Sequence, residues 1–263
     1  MADNRPLRLP TLFLEKVWGS TNLLPWYPNP GQTKIGEVWF DADVPLLVKF
    51  VFTSDRLSVQ VHPNDDFARE HENSRGKTEM WYIMRADPGA RIAIGFRESI
   101  SRERLRESAL SGEIERLLNW VEVQAGDAFF IPAGTVHAIG GGLALCEVQQ
   151  HSDVTYRLYD YDRPRELHLD KAIQVAFTDA ASPKSVMLPI DCRYFHTELA
   201  RTSSKLLYKP EPERFHIVIF VSGMGNIDGR PFQEGEAWLV PAGGQPFEIE
   251  PATPVKFLRT WVP

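Results

Sequence analysis

Cysteine is almost missing from this chain: Cys146 and Cys192 are the two examples in 263 residues, and no Cys-x-x-Cys spacing joins them. That disfavours a disulfide scaffold and a thiolate metal site, and isolated reduced thiols are the expected state. Cys146, flanked by apolar residues, is expected to pack in a core. Long apolar runs are missing too. No stretch approaches the roughly 20 residues a membrane helix requires, and the opening Met-Ala-Asp-Asn-Arg-Pro has neither the charged nor the apolar region of a signal peptide. A soluble, cytoplasmic protein without membrane contact is expected. Positive charge is in deficit, with 29 Lys and Arg against 35 Asp and Glu and a net charge of −6. Proteins that bind nucleic acid usually present a basic stripe to phosphate, so that partner is disfavoured. A small anionic substrate is still admissible where local cations gather it. Nucleotide fingerprints are absent as well: Gly140-Gly-Gly-Leu leads to no Gly-Lys-Ser/Thr and opens no helix, and it reads as a β-turn.

What is present is mostly β. The hydrophobic fraction of 43% suits a globular protein, and the length suffices for one large β domain or two smaller ones. Strand-like runs cover 34–41, 46–52, 57–61, 80–85, 90–95, 121–123, 128–132 and 142–149, punctuated by Gly, Pro and Asp clusters. Helical signals are fewer. One spans Asp65 to Ser74; another, Ser99 to Trp120, places Ile100, Leu105, Leu110, Ile114, Leu117 and Leu118 at roughly helical spacing across a break at Ser111-Gly112. That pattern predicts an amphipathic helical hairpin packed on the sheet.

An internal repeat is also visible. Gly126-Asp-Ala-Phe-Phe-Ile-Pro-Ala-Gly returns as Gly235-Glu-Ala-Trp-Leu-Val-Pro-Ala-Gly, 109 residues later, and 80–93 and 217–230 share a strand, turn, strand pattern. Two similar β units are therefore expected, with a link near Thr178 to Pro189. The first Pro-Ala-Gly leads to His137, whereas the matching position in the second copy is Pro246, which cannot ligate a metal. The second unit is expected to be degenerate, supporting the first or shaping the rim of its pocket.

Four potential metal ligands lie in the first unit. Gln60 and His62 sit in Leu57-Ser-Val-Gln-Val-His-Pro, where strand alternation puts both on one face. Glu79 follows in Gly76-Lys-Thr-Glu, and His137 in Pro132-Ala-Gly-Thr-Val-His. Their joint placement is that of double-stranded β-helix metal proteins, in which paired strands carry ligands into a barrel mouth. Two imidazoles and one carboxylate suit zinc, iron or manganese alike. Lys77 shares the face of Glu79 by alternation, and Glu147 and Arg157 follow nearby as further charged candidates. The run Asp160-Tyr-Asp-Arg-Pro-Arg fits either a loop over a polar pocket or an ordinary solvated turn.

These motifs, in this order, resemble type I phosphomannose isomerase in its short bacterial form. The similarity covers about Leu12 to Ile173 and also takes in Lys16-Val-Trp-Gly, Ile35-Gly-Glu-Val-Trp, Pro45-Leu-Leu-Val-Lys-Phe and the long run from Glu147 to Arg163. It implies two tandem cupin-like units, 1–178 carrying the metal and catalytic groups with short helical insertions and 179–263 free of metal. It also implies an isomerase that interconverts mannose 6-phosphate and fructose 6-phosphate with one zinc ion per chain. By position, Gln60, His62, Glu79 and His137 would bind zinc, Arg157 would be the active-site arginine, and Trp18, Ser58, Lys77 and Glu147 would line the substrate pocket. Lys77 and Glu147 are the acid/base candidates. Arg157, Arg163 and Arg165 are candidates to hold the phosphate at the rim. The chain departs from the family pattern in its shortness and in His151, which stands where a small residue is common and is expected to alter the pocket. An iron-dependent cupin oxygenase and a non-enzymatic sugar-binding module are the alternatives; retention of Lys77, Glu147 and Arg157 argues against a passive module.

Overall fold

The computed structural model describes residues 4–263, and strands arranged in four sheets dominate it. A central sheet runs in the order Thr11–Ser20, Ile35–Phe40, Leu46–Thr53, Leu143–Gln150, Glu79–Ala86 and Ala128–Ile131. Facing it is a site sheet of Tyr156–Tyr159, Val59–Val61, His137–Ile139, Arg91–Phe96 and Leu118–Glu122. The C-terminal sheet consists of Leu7–Arg8, Ala237–Val240, His216–Ser222, Val255–Trp261, His196–Thr202 and Ile190–Asp191. An outer sheet of Leu206–Tyr208, Phe247–Pro251, Met224–Ile227 and Arg230–Gln233 covers its far side. The first two sheets are built from residues 11–159 and the last two from residues 190–261, with Leu7–Arg8 from the start of the chain added at the edge of the C-terminal sheet.

Alternation along the strands sorts side chains into successive layers. In Leu46–Thr53, where all eight residues are buried, Leu46, Val48, Phe50 and Phe52 join Ile217, Ile219, Val221 and Leu258 in a core shared between the central and C-terminal sheets. Val51 points the other way, into the interior of the first unit beside Trp81, Ile83, Ile94, Ile139 and Leu145. Leu143–Gln150 divides in the same manner, with Ala144, Cys146 and Val148 in the shared core and Leu143 and Leu145 inside the unit. A strand buried on both faces therefore reads as a nearly continuous apolar run, and the charged residues that interrupt it stand out.

The repeat is structural as well. Gly126 and Gly235 both adopt positive φ, 99° and 92°, and both amides bond back to the preceding hairpin strand, at Ile83 O (2.8 Å) and Phe220 O (2.9 Å). At each, a β-carbon would strain the turn. Ala128–Ile131 and Ala237–Val240 then pair with equivalent neighbours.

The helices cover the outside of the site sheet. Asp65–Glu72 starts at Asn64, whose side chain accepts from the Phe67 amide, and ends at Asn73 in the left-handed region. Arg102–Ser111 and Ile114–Leu117 form the expected pair and bury Leu105, Ala109 and Ile114 against Val59, Val61 and Ala138. The helical pattern does not extend to Trp120. Leu118–Glu122 is a strand, because pairing with Arg91–Phe96 satisfies its backbone and sets Trp120 beside Ala93 and under the Arg91 guanidinium, 4.8 Å from the ring. A further helix, Leu169–Val175, carries no side-chain cap to announce it.

Phe50 sits at the centre of the shared core, edge-on to Phe40 with ring centres 5.0 Å apart. Truncating such a residue removes its transfer energy and leaves a cavity that packed sheets cannot close. Phe50→Ala is expected to lower unfolding free energy by about 3–5 kcal/mol in a denaturant titration. A loss under about 1 kcal/mol would contradict this account of the layer.

Candidate active site

The site lies between the central and site sheets. On the site sheet, Gln60 is the middle of a cross-strand row, opposite His137 on one side and Arg157 on the other, and His62 follows at the strand end. On the inner face of the central sheet a second row runs Trp39, Lys49, Glu147, Trp81 and Phe129, and Glu79 opens its strand opposite Gln149. Two short rows of side chains thus face one another across the interior.

His62, Glu79 and His137 converge there with 1% exposure or less, and their ligating atoms lie within 4.8 Å of one another; among the described residues this is the sole such group. The tautomers follow from the neighbours. His62 Nδ1 donates to Val154 O (2.9 Å) and His137 Nδ1 to Thr135 O (2.9 Å), so each Nε2 is an acceptor. These nitrogens stand 3.5 Å and 3.6 Å from Glu79 Oε2 and Oε1. Gln60 Nε2 donates to His137 Nε2 at 3.2 Å, and Ser58 Oγ donates to the Gln60 carbonyl at 3.3 Å.

Glu79 is the informative member. Its Oε1 is buried with no hydrogen-bond donor. Lys77 Nζ meets Oε2 at 2.7 Å in a close ion pair, and it donates to His62 Nε2 at 2.9 Å. An ammonium thus stands against two of the candidate ligands. A buried carboxylate with one oxygen lacking a donor, two imidazole acceptors and a side-chain amide fits a divalent cation with nitrogen and oxygen preferences.

The charges balance in an ordered way. Burial raises the Glu147 carboxyl, but Lys49 at 2.9 Å and Lys77 at 3.6 Å outweigh it and hold the group down at about 2, with the Trp81 indole donating at 3.0 Å. Burial, then the charge of Glu147, pushes Glu79 up to about 7. Two carboxylates in one apolar layer share what ionisation their neighbours support, and the lysine next to Glu147 decides which keeps its charge. Burial lowers His137 to about 4 and takes His62 well below the usual imidazole range, with Lys77 adding to both.

A cavity of about 320 Å³ opens over Gln60 and Lys77, lined by Trp18, Ser58, Lys49, Glu147 and Arg157 among others. All seven remaining sequence candidates except Arg163 therefore have a place in or beneath it. Arg163 turns away to Asp55 (2.6 Å) and Asp160 (3.3 Å), whereas Arg165 lines the cavity with its guanidinium forked onto Asp160. His151 is not in the pocket: the strand ends at Gln150, and His151 bends to solvent with Nδ1 on Val44 O. Lys49, Glu37 and Trp39 are among the lining residues that the sequence does not single out, although Lys49 has a visible signal as the lone charge inside an apolar run. A wider cleft of about 450 Å³ beside Asp65, Gln150 and Arg193 contains none of the convergent ligands.

The chain is 34% identical to mannose-6-phosphate isomerase ManA of Bacillus subtilis, over 93% of its own length and 96% of that protein. It belongs to the mannose-6-phosphate isomerase family. A mannose-6-phosphate isomerase of Streptococcus mutans is 48% identical across half of this chain and 43% of its own. The crystal structure of the mannose 6-phosphate isomerase from Bacillus subtilis superposes with a TM-score of 0.86 at 28% identity, covering 97% of this chain and 99% of that one. No family-level sequence model matches the chain. Among the described residues of this member of the isomerase family, no helix is long and apolar enough to cross a membrane.

A metal ion held by Glu79 would have to displace its proton, so affinity should depend on pH with a known sign. A carboxyl pushed up to about 7 is protonated below that pH and competes with the ion. Titrating the metal-free protein near pH 6 should release about one proton per ion, with affinity falling roughly tenfold per pH unit on the acid side. Equal affinity on both sides of neutrality with no proton release would contradict the role of Glu79.

Proposed function

We propose that this site interconverts mannose 6-phosphate and fructose 6-phosphate through a cis-enediol, with one zinc ion per chain held by Gln60, His62, Glu79 and His137. The observation that carries the reading is the convergence of the buried Glu79 carboxylate, one oxygen of which has no donor, with His62 Nε2 and His137 Nε2, and with Lys77 and Glu147 alongside. Family membership supports the reaction, since the relatives are named for it. Bound there, a divalent ion supplies a fixed positive charge that polarises the sugar's carbonyl and hydroxyl oxygens and offsets the negative charge of an enediolate.

The chain's own groups supply the rest. Isomerisation takes a proton from C2 of the aldose and delivers one to C1, while the hydroxyl proton shifts between the two oxygens. Lys77 and Glu147 carry these protons in the proposal, because both line the cavity and lie 3.6 Å apart. Arg157 contributes a cation that keeps its proton throughout, with Nη1 anchored on Glu166 O at 2.7 Å. Trp18 and Ser58 shape the wall, and Ser58 also braces Gln60. Arg157 and Arg165 would hold the phosphate on the side away from the metal ligands. In this reading residues 1–178 carry the reaction and 179–263 support it from behind the central sheet.

A coupled assay for fructose 6-phosphate tests the reaction: turnover should proceed equally under nitrogen, stop with a chelator and return with zinc. Oxygen dependence would point to the iron oxygenase chemistry instead. Glu147→Gln and Lys77→Ala are expected to lose about 10²–10⁴-fold in kcat. They should also lose uptake of solvent deuterium at C2; wild-type exchange in both variants would overturn their assignment.

A further inference from the structure

The segment that carries Lys77 and Glu79 is held by a residue that lies outside the cavity. Asp65, at the start of the helix Asp65–Glu72, accepts through Oδ1 from the Gly76 amide (3.0 Å) and from Gln150 Nε2 (2.8 Å). Gln150 in turn accepts from the Thr78 amide at 2.9 Å, and its own amide donates to Thr78 O at 3.1 Å. Lys77 is thus bracketed by amides on both sides that end at one carboxylate. Its own amide donates to Pro63 O (3.0 Å), next to His62. The buried Thr78 hydroxyl accepts from the Ala133 amide at 3.2 Å, in the turn that leads to His137. The three ligand-bearing segments are joined in one hydrogen-bonded web.

Gly76 shows how tightly the segment is docked. A β-carbon there would lie 2.5 Å from Asn64 C and 2.6 Å from the Asp65 amide nitrogen, both backbone atoms that cannot give way. From the other side, Arg193 reaches to 3.5 Å from Asp65 Oδ2, and the Tyr194 hydroxyl bonds the same carboxylate. Both belong to the turn between Ile190–Asp191 and His196–Thr202 of the C-terminal sheet. The wide cleft exposes Arg193 to solvent, which screens its charge, so the two bonds at Oδ1 matter more than the ion pair.

We propose that Asp65 is a positioning residue, clamping the 76–79 segment directly and through Gln150 so that Lys77 and Glu79 keep their aim at the ligand cluster, with the C-terminal sheet bracing the clamp. Its mechanical half stands on the hydrogen bonds alone; its functional half rests on Glu79 being a metal ligand. Outer partners of metal ligands typically change affinity or activity 10–100-fold when removed. Asp65 touches neither the cavity nor a candidate ligand, so its effect has to travel through the segment.

Two measurements separate these halves. On metal-free protein, hydrogen exchange of the Gly76 and Thr78 amides should rise about tenfold in Asp65→Ala, while strands of the C-terminal sheet keep wild-type protection. On zinc-loaded protein, Asp65→Ala should release metal to a chelator about tenfold faster and lower kcat about tenfold, with KM within about twofold. Asp65→Asn keeps the Oδ1 acceptor and should restore both. Gln150→Ala, read in the same two ways, serves should Asp65→Ala fail to fold. Unchanged amide exchange in the variant overturns the clamp whatever the metal does. Raised exchange with wild-type metal release overturns its functional half, and an Asn variant as defective as Ala overturns the hydrogen-bond basis. A wild-type protein that holds no metal counts against the proposed function, while the exchange result still decides the clamp.

Discussion

Buried charge is the constraint around which this structure is organised. Lys49, Lys77, Glu79 and Glu147 all lie inside a β layer lined with Trp81, Val51, Ile131 and Ile139, where an isolated ion would be far costlier than in water. The four are tolerable because they alternate: Glu79 meets Lys77, Lys77 meets Glu147, and Glu147 meets Lys49. The chain of contacts ends unevenly. Glu147 has a lysine on each side and an indole donor, whereas Glu79 has one lysine and no further donor. That imbalance is what a divalent cation would relieve, and it is why the site reads as more than a packed polar core.

The sheets exist around this arrangement. Each strand of the central sheet sends one set of side chains to the shared core and the other to the site, so a slip of one residue would exchange Phe50 for Lys49 and bury the charge among Ile217, Ile219 and Leu258. Register is therefore held by the same alternation that builds the site. The C-terminal sheet has a part in this beyond covering apolar surface, since its turn at Arg193 and Tyr194 meets Asp65 at the edge of the ligand-bearing segment.

Much of the site was legible in the sequence for a physical reason. Gln60 and His62 follow strand alternation, Glu79 and His137 each open a strand after a turn with a recognisable signature, and the structure brings all four together with Lys77, Glu147 and Arg157. The fold class was readable from the same patterns, and the repeat correctly located a second turn at Gly235. Other features were hidden. Glu37 and Trp39 gain their place only through pairing with Leu46–Thr53, a long-range register that no local pattern encodes. Thr11–Ser20 lies at an edge and exposes Leu12, Phe13 and Val17, so its alternation is blurred. Leu118–Trp120 continues a helical spacing yet joins a sheet, because the partner strand outweighs local preference. His151 follows a buried strand in sequence but the chain turns away there, a boundary one residue wide.

The account stands on a cation gripped by two imidazoles and oxygen donors in the first unit. X-ray absorption at the metal edge of the purified protein tests this most directly. The account predicts a single class of site whose scattering contains two imidazoles among nitrogen and oxygen neighbours, reduced to one imidazole in His137→Ala. Sulfur in the coordination shell, or a spectrum unchanged by that substitution, would contradict it.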